Sequence, residues 1–174
     1  MIESNSTAQS APSSTPPARI LVVDDEPQLC DICSRALRRA NYDVVATTDA
    51  NVALRELRAG PSFDLLLTDI KMPTISGLEL AHFAREVDPA IAIIIMTGHT
   101  SEEHLRQAVQ RGAADFMSKP FELEELRLAV DQALHKRRLL QDSMRLRSVE
   151  RLLDSSEAIN STLDRDQLAQ IILS

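Results

Sequence analysis

Cysteine is scarce in this chain: Cys30 and Cys33 are the only two. They form a C-x-x-C, but inside a helical pattern, where two small apolar residues on a half-buried face are expected rather than a redox or metal pair. Long hydrophobic runs are missing too. The longest, Ile91 to Ile95 with Met96, falls far short of the roughly 20 residues that a bilayer-crossing helix needs, and it reads as a buried strand. No basic stretch followed by an apolar one opens the chain, so no secretory signal is expected and a cytoplasmic location is. Nor is there an excess of positive charge. Lys and Arg number 19 against 26 Asp and Glu, for a formal net charge of −7. That balance argues against general nucleic-acid binding and leaves room for a cation site.

What is present, 44% hydrophobic and 26% charged residues over 174 positions, is the makeup of a soluble globular protein. The length suits one domain of roughly 100–150 residues with an extra element. Residues 1–18 are rich in Ser, Thr, Pro, Asn and Gln and lack the apolar surface to order themselves, which predicts a disordered leader. From Arg19 short apolar runs alternate with amphipathic stretches, the pattern of a parallel sheet covered by helices on both faces. Five strands are expected: Ile20 to Val23, Asp43 to Ala46, Leu65 to Thr68, Ile91 to Met96 and Asp115 to Ser118.

Between them, Leu29, Ile32, Cys33, Ala36 and Leu37 fall on one helical face, with Pro27 in the first turn. Asp49 is placed to cap a second helix, whose Ala53, Leu54 and Leu57 face inward and which Gly60 ends. A third runs from about Leu78 to Val87. A fourth opens with Thr100 and Glu103 at capping-box spacing and stops at Gly112. A fifth begins after Pro120 and does not stop where a compact domain would need it to. The alternation gives a doubly wound sheet with right-handed crossovers and a ligand site at the carboxyl ends of the strands.

Polar residues appear at those ends: Asp24, Asp25 and Glu26 after the first strand, Asp69 after the third, Thr97 after the fourth and Lys119 after the fifth. Each alone reads as a solvated loop residue. Together they change the chemistry, because clustered carboxylates repel unless a cation sits between them, and hard oxygen donors select magnesium. Lys119 adds a second positive charge and Thr97 a hydroxyl donor. Phosphoryl transfer needs an in-line acceptor and neutralised equatorial oxygens, and Asp69 is the expected nucleophile, forming an acyl phosphate.

The segment from Arg19 to about Lys136 resembles a two-component response-regulator receiver domain. The likeness rests on the run ending in Asp24, Asp25 and Glu26, on Asp69 with Met72, Pro73 and Gly77, on Thr97 with Gly98, and on Gly112 through Phe116 to Lys119, Pro120 and Phe121. It implies a flavodoxin-like five-stranded parallel sheet of order 2-1-3-4-5. It also implies that Asp25 binds magnesium directly, that Asp24 acts largely through water, and that Asp69 is both metal ligand and phosphoacceptor. The main-chain carbonyl of Lys71 completes the protein ligands. Lys119 pairs with phosphoryl oxygens, preceding a proline bond often cis in the family. Thr97 and Phe116 match the switch pair, while Lys71 and His99 occupy positions that tune acyl-phosphate lifetime. The implied partner is a sensor histidine kinase or phosphotransfer protein, and the protein is not a turnover enzyme on outside substrates.

Leu123, Leu126, Val130 and Ala133 begin an apolar pattern that continues through Leu140, Met144, Leu146, Val149 and Leu153. Residues 137–155 are therefore expected to form a helical linker able to pair two chains as a parallel coiled coil, with a register break near Arg137 to Arg147. Its basic residues read as a solvated face, without direct nucleic-acid binding. Residues 156–174 resemble the opening helices of a GAF sensor domain. Two rival classes lack their motifs here. A haloacid-dehalogenase-like phosphatase needs an Asp-x-Asp-x-Thr run that Asp69 does not head. A flavodoxin-like carrier needs a Ser/Thr/Gly phosphate loop where this chain has acids.

Overall fold

The computed structural model describes the backbone of residues 16–98 and 115–172, and side chains up to residue 147. Its elements are β1 (Arg19–Val23), α1 (Pro27–Arg39), β2 (Asp43–Thr47), α2 (Ala50–Ala59), β3 (Leu65–Asp69), α3 (Gly77–Val87), β4 (Ala92–Thr97), β5 (Asp115–Ser118) and α4 (Leu123–Ile172). All four strand pairings are parallel, and the sheet order is β2-β1-β3-β4-β5, as expected. The expected helix between Thr100 and Gly112 lies outside the described residues, as does His99.

Successive strand residues point to opposite faces, so each central strand feeds two cores. Ile20, Val22, Leu65, Leu67 and Ile94 pack with Cys33, Leu37, Leu126 and Val130 on one face. Leu21, Val23, Leu66, Ile93 and Ile95 pack with Ala53, Leu57, Leu80 and Ala84 on the other. The fourth strand is displaced by one residue from the expected span. Ile91 is buried but precedes the ladder, and Thr97 belongs to it.

Local chemistry sets the helix starts. Pro27 occupies the first turn of α1, where a missing N–H costs nothing. The Asp49 carboxylate accepts from the Asn51 N–H at 2.8 Å and caps α2. A reciprocal box opens α3: Ser76 Oγ accepts from the Glu79 N–H at 3.3 Å and Glu79 Oε2 accepts from the Ser76 N–H at 2.9 Å. Two side chains depart from expectation. Ile32 is 42% exposed, because the buried stripe of α1 is Cys30, Cys33, Ser34 and Leu37, and Ile32 falls on the far side of the helix. Leu123 is also exposed, since it lies one turn ahead of Leu126, where the sheet begins to cover the helix.

The last helix is 50 residues long. At 1.5 Å per residue it spans roughly 75 Å. Leu126, Val130, Ala133 and Leu134 bury its first turns against the sheet. Tyr42 donates a hydrogen bond to the Asp131 carboxylate. The Arg137 guanidinium then reaches Asp64 at 2.6 Å and Asp88 at 3.0 Å, at the amino-terminal edge of β3 and the end of α3. The expected boundary between residues 155 and 156 falls inside this uninterrupted helix.

Candidate functional site

The ends of two strands and the residues directly after two others converge on one edge. Asp24, directly after β1, is fully buried. Its Oδ1 accepts from the Glu26 N–H at 2.9 Å and its Oδ2 from the Lys119 ammonium at 2.8 Å. The same ammonium lies 3.0 Å from Asp69 Oδ1 and 3.5 Å from Glu26 Oε1. Lys119 follows β5 before a cis peptide bond to Pro120, and its N–H donates to the Thr97 carbonyl at 2.7 Å, tying that loop to the end of β4.

Asp69 ends β3 and is nearly buried. Its Oδ2 accepts from the Lys71 N–H at 3.1 Å. The backbone behind it is pinned: the Ile70 N–H donates to the Met96 carbonyl at 2.9 Å, and the Gly77 N–H to the Ile70 carbonyl at 3.1 Å. Gly77 is required by proximity. A Cβ there would sit 2.0 Å from the Asp69 carbonyl oxygen, so only glycine lets α3 start this close.

Asp25 faces outward and, with Glu26, Asp69, Lys71, Gly98 and Lys119, lines an open cavity of about 290 Å³. The electrostatics are set by what is buried. Burial pushes the Asp24 carboxyl above its ordinary value, against the pull of Lys119 and the Glu26 N–H. Burial would pull Lys119 down, but its hydrogen bonds and charge pairing with Asp24 and Asp69 outweigh this and hold its pKa above the usual lysine value. The ammonium therefore stays charged. Thr97 is buried at the end of β4. Phe116 is half-buried, opposite Ile95 in the ladder and against the core shared by α2 and α3.

Among the described residues no three His, Cys, Asp or Glu side chains gather as a closed metal cage. The oxygen set at the cavity still fits magnesium, which is commonly held by one or two carboxylates and keeps several waters. Asp25 and Asp69 face the cavity beside Lys71, while both Asp24 oxygens are engaged by Lys119 and a backbone N–H. The cysteines take no part. Both are buried and free, and burial pushes the Cys33 thiol up to about 12. Sequence reasoning missed Glu26 as a third partner of Lys119 and the box formed by Ser76 and Glu79, although the Ser-x-x-Glu spacing was visible.

This geometry meets its counterpart among known proteins. The sequence profile of the response regulator receiver domain matches residues 20–131, and the chain belongs to that family, the receivers of two-component phosphorelay signalling. It is similar to the transcriptional regulatory protein ZraR of Klebsiella oxytoca, 35% identical over 69% of this chain and 27% of that protein. It is likewise similar to the response regulator protein PilR of Pseudomonas aeruginosa, 36% identical over 68% of this chain and 26% of that one. The chain thus spans about a quarter of the length of these relatives. A CheY-like receiver domain protein from Methanospirillum hungatei superposes with a TM-score of 0.66 at 29% identity, covering 70% of this chain and 97% of that one. The family assignment leaves the phosphatase alternative without support. No helix among the described residues is long and apolar enough to cross a membrane.

Proposed function

We propose that Asp69 accepts a phosphoryl group from a phosphohistidine of a sensor kinase or phosphotransfer protein. The carrying observation is the Lys119 ammonium, held at 2.8 Å from Asp24 and 3.0 Å from Asp69 at the floor of an open acidic cavity. In the transfer, the donor's N–P bond breaks with its electron pair returning to the imidazole, and a bond forms from an Asp69 oxygen to phosphorus. Magnesium, when bound, neutralises equatorial oxygens of the group in flight. Asp25, Asp69 and the Lys71 carbonyl would hold it, with Asp24 acting through water. Lys119 exchanges its contact with Asp69 for a phosphoryl oxygen, which costs no reorganisation of charge because it is already in place.

Thr97 and Phe116 form the switch. The hydroxyl of Thr97 moves toward the phosphoryl group, and the half-buried ring of Phe116 turns into the space released. The bias comes from what the phosphoryl group contacts in one state and not the other. Lys71, two residues past Asp69 in the sequence, and His99, two residues past Thr97, tune water access to the acyl phosphate. A groove of about 560 Å³ beside the cavity, lined by Leu29, Ile32, Pro120 and Phe121 with Glu26 and Lys119 at its edge, supports docking of the donor there. Two buried, reduced cysteines suit the cytoplasm, where we place the protein.

Incubation with acetyl phosphate and magnesium should add one phosphoryl group per chain, mapped by mass spectrometry to Asp69, and Asp69→Asn should remove it. Phosphate on another residue, or continuous turnover of the donor at a rate unaffected by that substitution, would overturn the assignment.

A further inference from the structure

The chain enters the domain beside the helix on which it leaves. A cavity of about 390 Å³ is lined by Pro16, Pro17 and Ala18 from the entering segment and by Arg138, Asp142 and Arg145 from the last helix. Ala18 is fixed there: its carbonyl accepts from the Asp43 N–H at 3.0 Å, and its side chain packs against the core that holds Leu134. Arg137, which also lines the cavity, is already matched by Asp64 and Asp88. Arg138 and Arg145 are exposed, and neither makes a salt bridge among the described residues. At about 100° and 1.5 Å per residue the two stand on one side of the helix, roughly 10 Å apart along its axis. With three Arg against two Asp, the cavity lining keeps a positive surplus.

The segment leading into the cavity can supply the missing negative charge. Residues 1–15 contain seven Ser and Thr and no Lys, Arg or His. Thr15 comes immediately before Pro16, so its Cα lies no more than about 3.8 Å from that of a cavity-lining residue. We propose that Thr15 is a phosphorylation site and that its phosphoryl group docks on Arg138 and Arg145, strapping the amino-terminal segment to the departing helix. The modification is transfer from ATP on a serine/threonine kinase: the Thr15 oxygen bonds to the γ-phosphorus, its proton passes to the kinase's base, and the bond to the bridging oxygen breaks as ADP leaves. A phosphothreonine carries about −1.5 to −2 charge at neutral pH and three acceptor oxygens, enough to engage two guanidinium groups at once. Asp142 offsets one of the two cations, so the site favours a dianion over a single negative charge. Without the modification Thr15 offers the arginines a neutral hydroxyl. The strap closes beyond the Arg137 anchor and stiffens the helix from Arg138 to Arg145. It shares no residue with the phosphoryl-acceptor cavity and stands independently of the assignment of Asp69.

The test uses the full chain with phosphothreonine installed at position 15. Relative to the unmodified chain, amide exchange across residues 138–147 should slow by about threefold, as one or two exposed ion pairs provide. Phosphorus NMR should show the phosphoryl group losing its last proton at lower pH than in a free phosphopeptide of residues 1–18, because neighbouring guanidinium groups favour the dianion. Arg138→Gln combined with Arg145→Gln, both at exposed positions, should abolish both effects, while Lys136→Gln should leave them. Mass spectrometry of the chain isolated from its own cells should find phosphate on Thr15, and Thr15→Val should remove it. Titration matching that of the free peptide, exchange indifferent to the modification, effects that survive the double arginine substitution, or phosphate absent from Thr15 in the native chain would overturn the proposal.

Discussion

Lys119 joins a structural role to the catalytic one proposed for it. Its ammonium partners a carboxylate, Asp24, that is wholly inside the protein. Removing one member of a buried pair costs about 3–5 kcal/mol, because the other charge is stranded. Lys119→Met should therefore destabilise the fold by about 3 kcal/mol near pH 7 in urea titrations. The sign with pH follows from Asp24, whose carboxyl already sits above its ordinary value and would rise further without its partner. A raised carboxyl contributes stability that is present below the unfolded value of 3.8 and lost as pH climbs through the folded one. The penalty of the substitution should then be smaller at pH 4.5 than at pH 7, and a penalty equal at both would refute the buried-charge account. Gly77 offers a second check. An added methyl meets backbone, which cannot swing aside, so Gly77→Ala should cost roughly 1–3 kcal/mol and slow labelling by acetyl phosphate through displacement of Asp69.

Elements were legible in the sequence to the degree that each carried its own signal. Strands of Val, Ile and Leu bounded by acids were found to within a residue, and the caps at Asp49 and Gly60 stand where spacing put them. Leu123 was misplaced because periodicity does not say how far the neighbouring layer extends, and Ile32 because the sector of α1 that meets the sheet is the one centred on Cys30, Cys33, Ser34 and Leu37, on the other side of the helix. The convergence of Asp24, Asp69 and Lys119 was readable because parallel topology sends every strand end to one edge. Their distances were not, since they depend on Gly77 and on the hydrogen bond from Lys119 to the Thr97 carbonyl. Nothing in the sequence marked Arg137 as an anchor. It looked like one basic residue among several, and only the fold brings Asp64 and Asp88 to it. Arg137→Met gives up charge-assisted bonds to both, and should cost about 2 kcal/mol. It should also lower amide-exchange protection between Ala133 and Arg145, while leaving labelling of Asp69 intact. Unchanged protection there would show that packing of Leu126 and Val130 alone seats the helix.

For the whole molecule, the proposed magnesium site implies a gain in stability linked to the cation. Ligands that bind only the folded state stabilise it by about 2.7 kcal/mol at a hundredfold excess over Kd. Magnesium at such excess should raise the melting temperature of the wild-type chain, and Asp25→Asn should remove most of that gain, read by scanning calorimetry. An equal rise in the variant would take Asp25 out of the ligand set.

The chain enters its last helix beside the cavity and leaves the domain past Arg137, at the far ends of the same strands. The proposed acceptor and the departing helix consequently occupy opposite poles. A donor seated over Asp69, as proposed above, would leave the departing rod untouched, so charging the receiver would require nothing bound along the rod to let go first.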